Sequence, residues 1–189
     1  EGLQYAKDNH CASVCINPCN LDIAREVLEG SDVKIGTVIG FPSGAHTTFS
    51  KVAEAIDAYA RGAVELDMVI DIGALRNGEY DDVYNDIKAV VDATPAVVKV
   101  ILENCYLTKE QIVKGCQLCE KAGADFVKTS TGFAEGGATV EDIKLMRESV
   151  SEKVHVKAAG GIHSKEDVEA LVAADRVGVS RTQAIAAEF

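Results

Sequence analysis

Short runs of β-branched and other apolar residues alternate along this chain with longer stretches of helical spacing, and that alternation limits the fold more than any other feature. Strands are expected over Ala12 to Ile16, Val33 to Ile39, Val64 to Ile70, Ala96 to Leu102, Asp125 to Thr129, Val154 to Ala158 and Arg176 to Val179. Helices are expected over Thr48 to Ala60, Tyr80 to Val91, Lys109 to Lys121 and Thr139 to Glu148, with Thr108 and Thr139 as N-caps. A weak repeat supports the pattern. Arg61-Gly62-Ala63-Val64-Glu65-Leu66 and Ala122-Gly123-Ala124-Asp125-Phe126-Val127 each put a glycine at a helix C′ position just before a strand. The strands read as nearly continuous apolar runs, as expected for a parallel sheet covered on both faces. No Pro/Ser-rich linker divides the 189 residues, so one domain over 1–189 is expected.

Such a pattern suits a doubly wound open sheet or a (β/α)8 TIM barrel, and a barrel usually takes about 250 residues. The polar residues favour the barrel. Asp67, Lys99 with Glu103, Lys128 and Lys157 fall inside strands or at their C-terminal ends. An open sheet would spread them along a line, whereas a barrel gathers them on one axis at its top face. The expected fold is a (β/α)8 TIM barrel that lacks one strand.

Lys128, in Phe126-Val127-Lys128-Thr129-Ser130-Thr131-Gly132, and Lys157, in Val154-His155-Val156-Lys157-Ala158-Ala159-Gly160-Gly161, each end an apolar run and precede a glycine-bearing loop. Burial disfavours an ammonium, so such a lysine is expected to have a lowered pKa and a usable amine near neutral pH, the requirement for a Schiff base. One lysine would be the nucleophile and the other its electrostatic tuner. Asp67 lies between apolar residues, where a structural partner for a buried lysine and a proton-transfer group are equally open readings. Lys99 alternates with Val98 and Val100 and is expected to point inward, as an electrostatic group and a substrate contact. Gly160-Gly161 and Gly178-Val179-Ser180-Arg181 offer backbone N–H groups, a hydroxyl and a guanidinium at consecutive strand ends, where barrels commonly bind phosphate.

Other chemistries find less support. A formal net charge of −11 disfavours a surface that neutralises nucleic acid or an anionic membrane. The longest apolar stretches are broken by Asp92, Pro95 and Lys99, well short of a membrane span. Six cysteines at this length do not amount to a disulfide scaffold, and Cys116-Gln-Leu-Cys119 falls in a helical pattern, so free thiols in a reducing cytoplasm are expected. The histidines show no HExxH spacing, and neither a metal nor a cofactor is expected. No secretory signal is visible at Glu1.

Taken together, five segments resemble the 2-deoxyribose-5-phosphate aldolases, class I aldolases of (β/α)8 fold. They are Ala12-Ser13-Val14-Cys15-Ile16-Asn17-Pro18, Thr37-Val38-Ile39-Gly40-Phe41-Pro42, Glu65-Leu66-Asp67-Met68-Val69-Ile70, Asp125-Phe126-Val127-Lys128-Thr129-Ser130-Thr131-Gly132-Phe133 and Val156-Lys157-Ala158-Ala159-Gly160-Gly161-Ile162. The resemblance implies metal-free, reversible cleavage of 2-deoxy-D-ribose 5-phosphate to D-glyceraldehyde 3-phosphate and acetaldehyde. It implies Lys128 as the Schiff-base lysine, Asp67 as the proton relay and Lys157 as the second lysine. Thr131 and Gly132, Gly160 and Gly161, and Gly178 with Ser180 match positions that line the sugar-phosphate site, and Cys15 matches a cysteine near it. A small phosphorylated sugar is the expected partner, and a homodimer is the assembly the resemblance allows for. Three departures stand out. The family's first strand is absent ahead of what reads as the first helix. The stretch Leu171 to Gly178 is shorter and lacks a helix-ending glycine, and His163 and Arg181 differ from the usual residues. A catalytically impaired sugar-phosphate-binding barrel is the alternative, and transaldolase-like transfer a weaker one.

Overall fold

The computed structural model describes residues 1–180 and 182–189. Seven parallel strands run in sequential order: β1 (Ser13–Ile16), β2 (Lys34–Ile39), β3 (Glu65–Val69), β4 (Val97–Ile101), β5 (Phe126–Lys128), β6 (His155–Ala159) and β7 (Arg176–Gly178). Neighbouring strands pair in chain order, as right-handed β/α units produce. The sheet is curled, not flat. In a flat sheet β1 and β7 would lie roughly 29 Å apart at the usual strand spacing. Instead Arg176 of β7 reaches Glu65 of β3 at 2.8 Å and Ser13 of β1 at 3.5 Å.

Helices cover the outside: α1 (Gly2–Asp8), α2 (Leu21–Val27), α3 (Thr48–Ala60), α4 (Ile72–Asn77), α5 (Tyr80–Ala93), α6 (Lys109–Ala122), α7 (Val140–Ser149), α8 (Lys165–Ala170) and α9 (Thr182–Ala186). Each of the four expected helices is present with limits within two residues of expectation. The capping box at α6 forms: Thr108 accepts from the Gln111 amide while the Gln111 side chain accepts from the Thr108 amide. Gly123 ends that helix in the left-handed region at φ 87°. The remaining short helices carry too few turns for a periodic signal; α4 is recognisable only through Asp71, whose carboxylate accepts from the Ala74 amide at 2.9 Å.

Strand alternation divides the side chains between two environments. Leu66, Met68, Val98, Val100, Val127, Val156 and Ala158 face outward and pack with Leu75, Val83, Ile87, Val90, Ile112, Ile143 and Met146 from the helices. The buried thiols Cys116 and Cys119 join this layer, and burial pushes Cys116 up to about 12. On the opposite side of β3 to β6, Glu65, Asp67, Lys99, Lys128 and Lys157 point into the curl. A further buried ion pair, Lys51 to Asp86 at 2.6 Å, ties α3 to α5, and the same lysine donates to the Val69 carbonyl at the end of β3. Among the described residues, no helix is long and apolar enough to cross a membrane.

Candidate active site

Register explains why four charged residues that are distant in sequence meet. Asp67 pairs with Lys99 across β3 and β4, and Lys128 with Lys157 across β5 and β6, so all four project from the same side of adjacent strands. Asp67 is fully buried and accepts from three ammonium groups: Lys99 to Oδ1 at 2.8 Å, Lys128 to Oδ2 at 2.8 Å and Lys157 to Oδ2 at 2.9 Å. Burial alone would raise the Asp67 carboxyl. Lys128, Lys157 and Lys99 outweigh it and hold the group far below the usual carboxylate range.

The two lysines that share Oδ2 are pulled in opposite directions. For Lys157, burial acts downward, Asp67 upward, and the neighbouring Lys128 and Lys99 downward again, leaving its amine lowered. Burial also acts downward on Lys128, but Asp67, Cys15 and Glu103 act upward and prevail, leaving it raised. Burial by itself therefore does not lower both lysines, contrary to the sequence expectation, because one carboxylate oxygen can compensate one ammonium better than two.

Lys128 and Lys157 open onto a cavity of about 700 Å³ that runs from the C-terminal strand ends down between β1 and β7 to Ser13 and Arg176 at the starts of those two strands. Cys15 from β1 lines the same cavity; surrounding protein and the Asp67 charge raise its thiol. Thr131 and Gly132 form another part of the wall. Thr131 is held by Glu103, whose carboxylate accepts from the Thr131 amide at 3.1 Å and from its hydroxyl. Glu103 is itself a left-handed residue, φ 57°, a conformation that a non-glycine residue keeps only when its surroundings fix it. Phe41 and Phe133 meet edge to face, 5.2 Å between centroids, at the lip of the cavity.

The glycines divide into two kinds. Gly160 and Gly161 both have φ above 70° and turn the chain back over the cavity. Gly137 packs on them so closely that a Cβ there would lie 2.4 Å from the Gly160 carbonyl oxygen. Gly178 instead makes room for Lys157: a Cβ on it would come within 3.0 Å of Lys157 Cε. Ser180 and His163 also line the cavity, whereas Arg181 lies outside the described residues.

One expected substrate contact is not brought to the cavity. Lys99 is 1% exposed, bonded to Glu65 Oε2 at 2.6 Å and to Asp67, beneath the cavity floor, so it faces carboxylates and not substrate. Sequence reasoning missed Glu65 and Arg176, whose ion pair at 2.8 and 2.9 Å adjoins Lys99, with Arg176 also lining the cavity. The available signal was the i, i+2 alternation that puts Glu65 on the same side of β3 as Asp67. Among the described residues no group of His, Cys, Asp and Glu side chains could hold a metal ion.

A family model described as DeoC/LacD family aldolase matches residues 3–180. The chain belongs to this aldolase family. A deoxyribose-phosphate aldolase of Thermoanaerobacter pseudethanolicus is 55% identical to it, the match covering 97% of this chain and 85% of that protein. The crystal structure of a proposed deoxyribose-phosphate aldolase from Coccidioides immitis superposes with a TM-score of 0.95 at 42% identity, covering 98% of this chain and 76% of the other. The deoxyribose phosphate aldolase of Aeropyrum pernix, whose tetrameric structure is described as unique, gives a TM-score of 0.89 at 30% identity, with coverage of 97% of this chain and 79% of the other. As a member of this family the chain is an aldolase and a lyase, and near full-length likeness to enzymes does not favour the reading as an impaired binding barrel.

Proposed function

We propose that this aldolase reversibly cleaves 2-deoxy-D-ribose 5-phosphate into D-glyceraldehyde 3-phosphate and acetaldehyde through an imine on Lys128. The observation that carries the reading is the sharing of Asp67 Oδ2 by two buried lysine amines at a cavity floor. Passing a proton from Lys128 to Asp67, and from Asp67 to Lys157, frees the Lys128 amine without moving charge to solvent. That amine attacks the substrate aldehyde carbon, and loss of water gives the iminium. Removal of the proton from the C3 hydroxyl then breaks the C2–C3 bond. The electron pair enters the iminium and leaves an enamine, while the C3 aldehyde departs as glyceraldehyde 3-phosphate. Protonation of the enamine carbon and hydrolysis release acetaldehyde and restore the lysine.

In this reading Asp67 and Lys157 move protons, Thr131 and Gly132 bound the sugar, and Gly160, Gly161, Gly178 and Ser180 bound the phosphate. Cys15 forms the opposite wall. The aldolase domain is proposed to span 1–189 as a (β/α)8 TIM barrel whose β1 and β7 edges stand where an eighth strand would complete the cylinder; among the described residues β1 pairs with β2 alone and β7 with β6 alone. A cytoplasmic, reducing setting fits the free thiols, and a homodimer is the proposed assembly. Borohydride reduction in the presence of acetaldehyde tests the lysine assignment: intact mass should show one trapped adduct in the wild type and in Lys157→Ala, and none in Lys128→Ala. The reverse pattern would make Lys157 the nucleophile.

A further inference from the structure

Beside the lysine pair, with Arg176 in the wall of the same cavity, lie charges that the reaction just described does not use. Glu65 is 4% exposed and accepts from Arg176 Nη1 at 2.8 and 2.9 Å and from Lys99 Nζ at 2.6 Å. Lys99 spends its remaining contact on Asp67 Oδ1. A continuous line of charge thus runs from Arg176 on β7, through Glu65 and Lys99, to the carboxylate that Lys128 and Lys157 share. Glu65, Lys99 and Asp67 are buried, while Arg176 lines the cavity. The Phe126 ring lies 5.2 Å from Arg176 Cζ and 5.9 Å from Lys99 Nζ. His155 lies 4.9 Å from that ring and faces Asp175. Interactions between charges are strong in such surroundings.

We propose that Arg176 and Glu65 are positioning residues for the reaction, holding Lys99 between two carboxylates so that Asp67 stays ionised and aimed at the lysine pair. The inference rests on the Schiff-base reading above. Removing either residue changes the charge facing Lys128 and Lys157 while leaving their own contacts to Asp67 in place. The other groups facing the pair are Cys15 from β1, Asp67 from β3, Lys99 from β4 and Glu103 just after it. Around Glu65 the faces are Lys99, Arg176 and, through Arg176, the Ser13 hydroxyl of β1.

The signs are opposite for the two residues. Glu65→Gln deletes a buried negative charge, which disfavours the ammonium forms and moves the acidic limb of imine formation to lower pH. Arg176→Gln deletes a positive charge and moves that limb to higher pH. Shifts of about half a unit to one unit are expected. A structural role alone would lower the amount of active protein without moving the midpoint.

The test is borohydride trapping with acetaldehyde on the full chain, scored by intact mass across pH. The inference predicts a lower midpoint for Glu65→Gln, a higher one for Arg176→Gln, and return toward the wild-type value for Arg176→Lys and for the double Glu65→Gln/Arg176→Gln variant. Trapping with unmoved midpoints, or movement of both single variants in one direction, overturns it. If Glu65→Gln does not fold, Arg176→Gln against Arg176→Lys still decides the sign. Absence of any wild-type adduct overturns the aldolase reading instead.

Discussion

Asp67 is the residue on which the largest number of site contacts depends, because three ammonium groups converge on its two oxygens. Asp67→Asn leaves those ammoniums without their shared countercharge, and removing one partner of a buried ion pair costs about 3–5 kcal/mol. Chemical denaturation should show that loss, together with near-complete loss of activity. The pH dependence follows from the direction of the shift. A carboxyl held below its ordinary value stabilises the folded state at all pH above the unfolded value of about 3.9, and the contribution fades as the pH falls further. The stability difference between wild type and Asp67→Asn should therefore be constant near neutrality and shrink below about pH 4. A gap that widens on acidification would contradict the assignment of Asp67 as an ionised carboxylate.

At the scale of elements, the loops after β5 and β6 act as one unit. Gly137 lies against Gly160 and Gly161, and the Ala138 amide donates to the Gly160 carbonyl at 3.0 Å. Gly137→Ala would press a methyl group into that carbonyl, so the turn must shift at a cost of about 1–3 kcal/mol. If Gly160 and Gly161 hold the phosphate, KM for 2-deoxyribose 5-phosphate should rise several-fold, while trapping by acetaldehyde, which has no phosphate, should be retained. An unchanged KM would place the phosphate elsewhere. Thr108→Ala supplies the comparison: loss of the α6 cap should cost about 1 kcal/mol and leave KM unaltered, since α6 lies on the outer layer.

For the whole molecule, the curl brings β7 over toward β1 without backbone pairing between them among the described residues. Stability is expected to fall from the centre of the sheet toward those edges. Native-state hydrogen exchange should find the β3 and β4 amides protected at least roughly tenfold more than those of β1 and β7. Equal protection across the sheet would mean that another segment or a second molecule covers the edges. The same unpaired edges predict concentration-dependent association, which sedimentation would detect.

The alternation of short apolar runs and helical spacings was enough to place the strands and the longer helices, because side-chain period and capping are local properties of the chain. The lysines and Asp67 were legible too, since an ionisable residue inside an apolar run stands out without any structure. What local signals could not carry was the partnership between strands. Whether Lys99 would meet substrate or carboxylates depended on the register of β3 against β4. That Glu65 and Arg176, 111 positions apart, would pair depended on the curl of the whole sheet. The direction in which each lysine is shifted depended on how many ammoniums one oxygen must serve. Sequence determined which residues were anomalous; the tertiary structure decided which of them touch, because Coulomb energy and desolvation depend on distances that only the curled arrangement of strands sets.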